Sequence, residues 1–153
     1  MVGQEKQMPR FELAPLEAAG PIKFGMARRD VAAKLNLPSR PFKKAATSRH
    51  PTDAFLDSSL QVFYKGDEPV VDYIEFSRCA HLSVVYKGID LFQVLAKEMI
   101  QRLEHEGDFD SDSEEDPTDL IFPDLSLSFW RPTKEGLYFS TIGLGSVGYY
   151  DVT

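Results

Sequence analysis

Residues 82–107 constrain the fold most, because their apolar residues recur with the period of an α-helix. A short alternating run over residues 83–86 predicts a β-strand that ends at Gly88, where glycine tolerates a positive φ. Downstream, apolar side chains spaced three and four residues apart predict one buried stripe: Phe92, Leu95, Ala96, Met99, Ile100 and Leu103. An amphipathic helix of this kind is expected to pack on a sheet.

Two patterns predict that this helix begins at Asp90. Asp90 is a favourable N-cap residue, and Gln93 stands three positions later, as in a capping box. Ile89 and Val94 occupy the two positions of a hydrophobic staple.

A similar segment lies upstream and suggests an internal repeat. Residues 26–37 predict a helix after a candidate strand over 22–24, and a shift of 63 aligns Gly25 with Gly88 and Val31 with Val94. Each helix precedes two predicted strands, with a shift of 66 between the pairs: residues 60–65 and 70–77, then 125–131 and 137–144. The alternative is that two α+β halves of similar size match at a few apolar positions by chance.

The repeat predicts one α+β domain over the 153 residues, with pseudo-repeats at 22–77 and 83–144 and a disordered leader at 1–10. We expect a two-layer sandwich in which one antiparallel-rich sheet of about six strands carries both helices on one face. The other face would be partly free and would present aromatic side chains to a binding partner: Tyr64, Tyr73, Trp130 and Tyr138.

The negative charge of the chain is concentrated in one loop over residues 104–119. This loop holds nine of the 24 acidic residues and no lysine or arginine, in a chain of net charge -7. Such a segment repels nucleic acids and anionic membranes and attracts a basic protein. We therefore predict partner contacts from six of its acids: Asp108, Asp110, Asp112, Glu114, Glu115 and Asp116.

Two other interpretations of the acidic loop remain open, namely a calcium site and a solvated, disordered segment. Acids at alternate positions from Asp108 resemble an EF-hand loop, but Ser113 stands where glycine makes the turn and Asp119 where a longer glutamate is required. No metal or cofactor site is assigned.

The other motifs do not assemble a catalytic site. Residues 143–148 spell GxGxxG, but only five residues follow, so we predict a final turn and a short strand over 149–152 rather than a dinucleotide site. Cys79 and His81 form one pair without an orienting third group, which is too little for a catalytic or zinc site. A single cysteine and the lack of a membrane-spanning apolar run favour a cytoplasmic protein.

Residues 25–38, GMARRDVAAKLNLP, resemble the G-M-x-x-x-x-V-x-x-x-L-G-x-P helix of the superfamily that includes β-lactamase-inhibitory proteins and small outer-membrane assembly lipoproteins. Asn36 replaces the glycine of that pattern, and no lipobox cysteine precedes it. The resemblance implies tandem α/β repeats that bind other proteins through a sheet face. The acidity and layout also resemble small immunity proteins encoded beside bacterial polymorphic toxins.

The sequence therefore favours a non-enzymatic protein-binding module, an inhibitor or immunity protein that neutralises a basic partner. One alternative is a small-ligand-binding or enzymatic domain that uses the open sheet face as a pocket. Another is a structural subunit of a homo-oligomer.

Overall fold

The computed structural model describes residues 9–113 and 115–151. Within these residues the chain forms thirteen β-strands, two α-helices and one 3-10 helix: β1 (Arg10–Ala14), β2 (Ala18–Ala19), β3 (Ile22–Lys23), α1 (Arg28–Leu35), β4 (Arg40–Phe42), β5 (Thr52–Phe55), β6 (Leu60–Lys65), β7 (Val70–Ser77), β8 (Ser83–Tyr86), β9 (Ile89–Asp90), α2 (Ala96–Leu103), β10 (Asp110–Ser111), β11 (Asp119–Phe122), a 3-10 turn (Pro123–Leu125), β12 (Leu127–Trp130) and β13 (Thr141–Gly145).

The strands form two sheets, so the predicted two-layer α+β sandwich with a six-stranded sheet is wrong. The large sheet has eight antiparallel strands in the order β10-β11-β12-β13-β7-β6-β5-β4, and the small sheet has five in the order β3-β2-β1-β8-β9. Strands β1 and β8 pair in parallel, which joins the two halves of the chain. The prediction failed because strands of two or three residues, such as β4 and β10, are too short to show an alternating pattern.

The second helix begins at Ala96, five residues later than an N-cap at Asp90 predicts. Asp90 belongs instead to β9, where it pairs with Val85, and its carbonyl accepts hydrogen bonds from Gln93 and Val94. Leu95 is the N-cap residue, without a side-chain hydrogen bond. The residues that resemble a capping box therefore form a turn that follows β9 and leads toward α2.

The hydrophobic core lies between the large sheet on one side and the helices and small sheet on the other. Val31 of α1, Met99 of α2 and Val84 of β8 are all fully buried there, and the ring of Phe11 lies 5.1 Å from that of Phe76. We call the sheet surface that faces them the inner face. Its side chains are almost wholly buried: Leu60, Val62, Ile74, Phe76, Leu120, Phe122, Leu127, Phe129, Ile142 and Leu144.

The opposite surface of the large sheet is the outer face. From β6 to β10, strand register places the alternate side chains there side by side: Gln61, Phe63, Tyr73, Glu75, Ser77, Asp110, Asp119, Ile121, Ser128, Trp130, Thr141, Gly143 and Gly145. The row of Gln61 continues through Ala54 of β5 to Arg40 of β4. Most of these residues are half-buried or exposed, in contrast to the inner face. The helices pack on the inner face and leave the outer face uncovered.

One backbone hydrogen bond of the first half has an equivalent in the second half. The first residue of each helix donates to a carbonyl 41 positions later, from Arg28 to Pro69 and from Ala96 to Leu137, which gives a shift of 68. The predicted shift of 66 instead pairs Phe63 of the outer face with Phe129 of the inner face. Since strand residues alternate between faces, a one-residue error in alignment exchanges the two faces. The repeat at 22–77 and 83–144 stays a prediction.

The chain termini differ from the expectations where they are described. Arg10 begins β1, while the rest of the predicted leader, apart from Pro9, lies outside the described residues. Tyr149 and Tyr150 form a turn rather than the predicted terminal strand, and residue 152 lies outside the described range. Neither of the two helices in the described part of the chain has the length and apolarity needed to cross a bilayer.

Candidate functional site

An aromatic cluster occupies the outer face where β6, β7 and β13 meet. The ring of Tyr73 stacks on that of Tyr149 with a centroid separation of 4.7 Å, and its other neighbours are Phe63 at 5.4 Å and Tyr150 at 6.5 Å. The hydroxyl of Tyr150 forms a 2.7 Å hydrogen bond with that of Ser128. The C-terminal turn therefore folds back over the sheet and fixes these rings in place.

Two glycines of β13 make room for this cluster. A Cβ atom built on Gly143 would lie 1.9 Å from the Tyr73 hydroxyl oxygen, and one on Gly145 would lie 2.5 Å from the Cβ of Tyr149. Gly148 has a φ of 79° in the turn that brings Tyr149 back to the sheet. The GxGxxG sequence thus lets aromatic rings lie directly on a strand.

Two tyrosines of the cluster, Tyr73 and Tyr149, remain protonated at neutral pH because their pKa values are raised. Burial raises the pKa of Tyr149 to about 12, with smaller contributions from Tyr150 and nearby carboxylates. Burial likewise raises the pKa of Tyr73. These two rings are therefore uncharged and keep their hydroxyl protons.

Acidic side chains share the outer face with this cluster. Asp119 lies opposite Trp130 in the β11-β12 pair, and Glu75 lies opposite Gly143 in the β7-β13 pair. Asp110 lies in the same cross-strand row as Glu75 and Gly143, in the edge strand β10. Trp130 is 43% exposed, which is unusually high for a tryptophan on a sheet. One surface thus combines an accessible indole, tyrosine rings and negative charge.

Within the acidic loop, Asp112 organises the backbone. Its carboxylate accepts hydrogen bonds from the Thr118 amide at 2.9 Å, the Asp119 amide at 3.0 Å and the Thr118 hydroxyl. Asp108, Glu115 and Asp116 are exposed. Glu114 lies outside the described residues. Across residues 9–113 and 115–151, no three histidine, cysteine, aspartate or glutamate side chains are placed to hold a metal ion.

The hydrogen bonds to Asp112 predict a pH-dependent loop. The Thr118 hydroxyl, followed by the Asp119 amide, lowers the pKa of Asp112 below its usual 3.8. Since the folded pKa is the lower one, the stabilisation is complete above pH 3.8 and is lost as the pH falls through the folded pKa. We expect Thr118→Val to raise the carboxyl midpoint of Asp112 in a carbon-13 NMR titration.

Thr133→Val is the control for that titration, because Thr133 lies in a different loop and should leave the midpoint unchanged. Equal midpoints for Asp112 in the wild type and in Thr118→Val would contradict the assigned hydrogen bond.

The predicted aromatic residues divide between different places. Tyr73 and Trp130 lie on the outer face, as described above. Tyr64 lies on the helix side, where its hydroxyl donates to Asp53 at 2.7 Å. Tyr138 lies in the loop before β13, with Arg78 4.4 Å above its ring. The structure therefore brings together two of the four.

Sequence reasoning missed five outer-face residues: Phe63, Glu75, Asp119, Tyr149 and Tyr150. The tyrosine pair had a readable signal, because two glycines at alternate positions of one strand leave space on one face that only neighbouring rings can fill. Glu75 and Asp119 had none, since their placement depends on strand register. Comparisons of this chain with protein-family models, curated protein sequences and solved structures find no match.

Proposed function

We propose that this chain is a non-enzymatic protein-binding module that docks through the outer face, as an inhibitor or immunity protein of a basic partner. The observation that carries the proposal is the exposed Trp130 on the same face as the tyrosine cluster. Tryptophan and tyrosine are enriched among the residues that dominate binding energy at protein interfaces, because they bury a large area at low entropic cost. A cytoplasmic location belongs to the same proposal.

The charge of the face supports a basic partner. Of the described arginines and lysines, none forms an ion pair with Glu75, Asp110 or Asp119. These carboxylates are free to attract positive charge, and the exposed acids of the adjacent loop extend the negative field. Electrostatic steering of this kind raises the association rate and weakens with salt.

The edges of the large sheet are less suitable for docking than its face. One edge strand, β10, has two residues, and the other, β4, has three with Pro41 in the middle. Proline removes a backbone donor, while charge at an edge opposes pairing with another strand. The partner would therefore contact side chains of the outer face instead of adding a strand.

A pocket-based function around Trp130 and the tyrosine cluster receives no support from the cavities. Two of the cavities, of about 330 and 350 Å³, lie near α1 and its following loops; the first reaches the β4-β5 end of the outer face through Arg40 and Ala54, and neither is lined by Trp130 or the tyrosine cluster. An enzyme using this face would need an enclosed site with convergent polar groups.

Trp130→Ala tests the docking face. We expect this variant to lose about 2 kcal/mol of binding free energy, roughly thirtyfold in affinity, because it removes the largest exposed ring of the face. The partner would be captured from the native host by immobilised wild-type protein, identified by cross-linking mass spectrometry, and titrated by calorimetry.

Leu137→Ala is the matched control, because Leu137 is 68% exposed but lies beside the start of α2. It should bind as the wild type does, and affinity should fall between low and high salt. Equal affinity of Trp130→Ala and the wild type, or cross-links confined to another surface, would refute the proposal.

A further inference from the structure

The loop between β5 and β6 has an unusual backbone conformation. Leu56, Asp57 and Ser58 have φ values of 51°, 55° and 67°, and the amide of Ser59 closes the turn by donating to the Leu56 carbonyl. A left-handed conformation costs an L-residue about 1 to 2 kcal/mol, with smaller penalties for aspartate. Strain of this kind persists only where surrounding structure enforces it, and it is frequent at binding sites.

The second half of the chain makes the same connection without this strain. The sequence FLDSSL at residues 55–60 corresponds to FPDLSL at 122–127, a shift of 67. There, Pro123–Leu125 form a right-handed 3-10 turn, and only Ser126 has a positive φ. The amide of Ser126 donates to the Pro123 carbonyl, which repeats the bond made in the first loop. The fold therefore accepts a relaxed turn here, so the strain of Leu56–Ser58 is specific to the first half.

A cavity of about 330 Å³ lies against the strained loop. Its apolar lining includes Leu37, Ala54 and Leu56, and its polar lining includes Arg40, Ser58 and His81. The volume is within the usual range for small-molecule sites, which combine an apolar surface with a few convergent polar groups. In the second half, proline and leucine occupy the positions of Leu56 and Ser58, so the loop there lacks the hydroxyl.

Arg40 gives this cavity its charge preference. Its guanidinium donates to the Ser58 hydroxyl at 3.4 Å, and of the described carboxylates none forms an ion pair with it. Asp57, the acid at the rim, has a side chain that is 93% exposed and lies 3.9 Å from the imidazole of His81. A guanidinium with free donors matches the two oxygens of a carboxylate or phosphate.

We propose that this cavity binds a small organic anion, a carboxylate or phosphate monoester carried on an apolar body. Arg40 and the Ser58 hydroxyl hold the anionic group, while Leu37, Ala54 and Leu56 contact the apolar part. The left-handed loop places Ser58 beside Arg40. This site lies at the β4-β5 end of the large sheet, away from Trp130 and the tyrosine cluster, and does not depend on the proposed docking function.

Phenyl phosphate and benzoate, titrated into the full chain and followed by amide NMR shifts, test the proposal. We expect saturable shifts confined to residues 37–40, 54–58 and 81, with benzyl alcohol giving none. Arg40→Ala should weaken binding about tenfold or more, the usual effect of losing a charge-assisted hydrogen bond. Arg49→Ala is the control, because that exposed arginine already pairs with Asp67.

The double variant Leu56→Pro/Ser58→Leu gives the first loop the sequence of the second and should lose binding while remaining folded. If it does not fold, Arg40→Ala in the wild-type loop still decides. Three results would overturn the proposal. They are amide shifts spread over the surface, unchanged binding by Arg40→Ala, and inorganic phosphate binding as tightly as phenyl phosphate. Binding of phenyl phosphate alone or of benzoate alone would support it and identify the anion.

Discussion

Gly143→Val is expected to destabilise the protein by about 3 kcal/mol or more, the upper part of the range for overpacked sites. The Cβ of any side chain at this position would lie 1.9 Å from the Tyr73 hydroxyl oxygen and 2.6 Å from that of Ser128. Neither neighbour can retreat easily, because Tyr73 stacks on Tyr149 and Ser128 bonds to Tyr150. Urea unfolding followed by circular dichroism measures the change.

Thr141→Val, on the same face of the same strand, is the control and should change the free energy of unfolding by less than about 0.5 kcal/mol. Combining Gly143→Val with Tyr73→Ala should cost less than the sum of the two single changes, since the ring that collides with valine is gone. Additive effects would mean that the ring does not lie over Gly143.

Strands with a long alternating pattern were predictable from the sequence. The predicted bounds of 60–65, 70–77 and 83–86 match β6, β7 and β8. The large sheet was underestimated because the connections at 40–53 and 104–119 are polar and contain Pro41 or many acids, all of which disfavour strands locally. Pairing with a neighbouring strand outweighs that local preference, and pairing partners are not visible in a single segment.

The helix start at Asp90 shows a different limit. The spacing of Asp90, Gln93 and Val94 suits a helix N-terminus, but Asp90 ends β9 and the backbone groups of these residues form the turn that follows it. Local sequence could not choose between these outcomes because both use the Asp90 carbonyl as an acceptor. The choice depends on the pairing of β9 with β8, which buries Leu91 and Phe92.

The candidate face was predictable in part, and the failure has an identifiable cause. Strict alternation from Tyr73 places Phe63 on the outer face and Tyr64 on the inner face, and a register shift between Phe63 and Tyr64 marks a bulge. The bulge is not the reason that Tyr64 was misplaced, because Tyr64 follows Phe63 and points to the opposite face by alternation alone. Only the pairing of Phe63 with Tyr73 decides which of the two neighbours shares the outer face, and that pairing is not visible in the sequence. Trp130 and Tyr73 do lie on the same face, because β12, β13 and β7 pair without a register shift.

Tyr64 belongs instead to a polar cluster that yields the second large effect. Arg28 donates to both carboxylate oxygens of Asp53, at 3.0 and 2.9 Å, and Tyr64 donates to the same carboxylate at 2.7 Å. The hydrogen bond to Asp53 raises the pKa of Arg28, and burial followed by the bond to Asp53 raises that of Tyr64. Both groups therefore hold their protons, and the Asp53 side chain, only 6% exposed, depends on them for compensation.

We expect Arg28→Met to lower the free energy of unfolding by about 2 to 3 kcal/mol, less than for a fully buried pair because the Arg28 side chain is 31% exposed. Urea unfolding at neutral pH measures the loss. Arg29→Met is the matched control, since the guanidinium of Arg29 is exposed and forms no ion pair with the described carboxylates.

The cause of that loss can be separated from a loss of packing by a second change. Asp53→Asn keeps an acceptor for the Tyr64 hydroxyl and removes the negative charge, so adding it to Arg28→Met should recover most of the lost stability. In the wild-type background the same change should destabilise, because it deprives Arg28 of its partner. If Asp53→Asn lowers stability in both backgrounds, Arg28 stabilises the fold through the packing of its side chain. Compensation of the buried Asp53 charge would then not explain the loss in Arg28→Met.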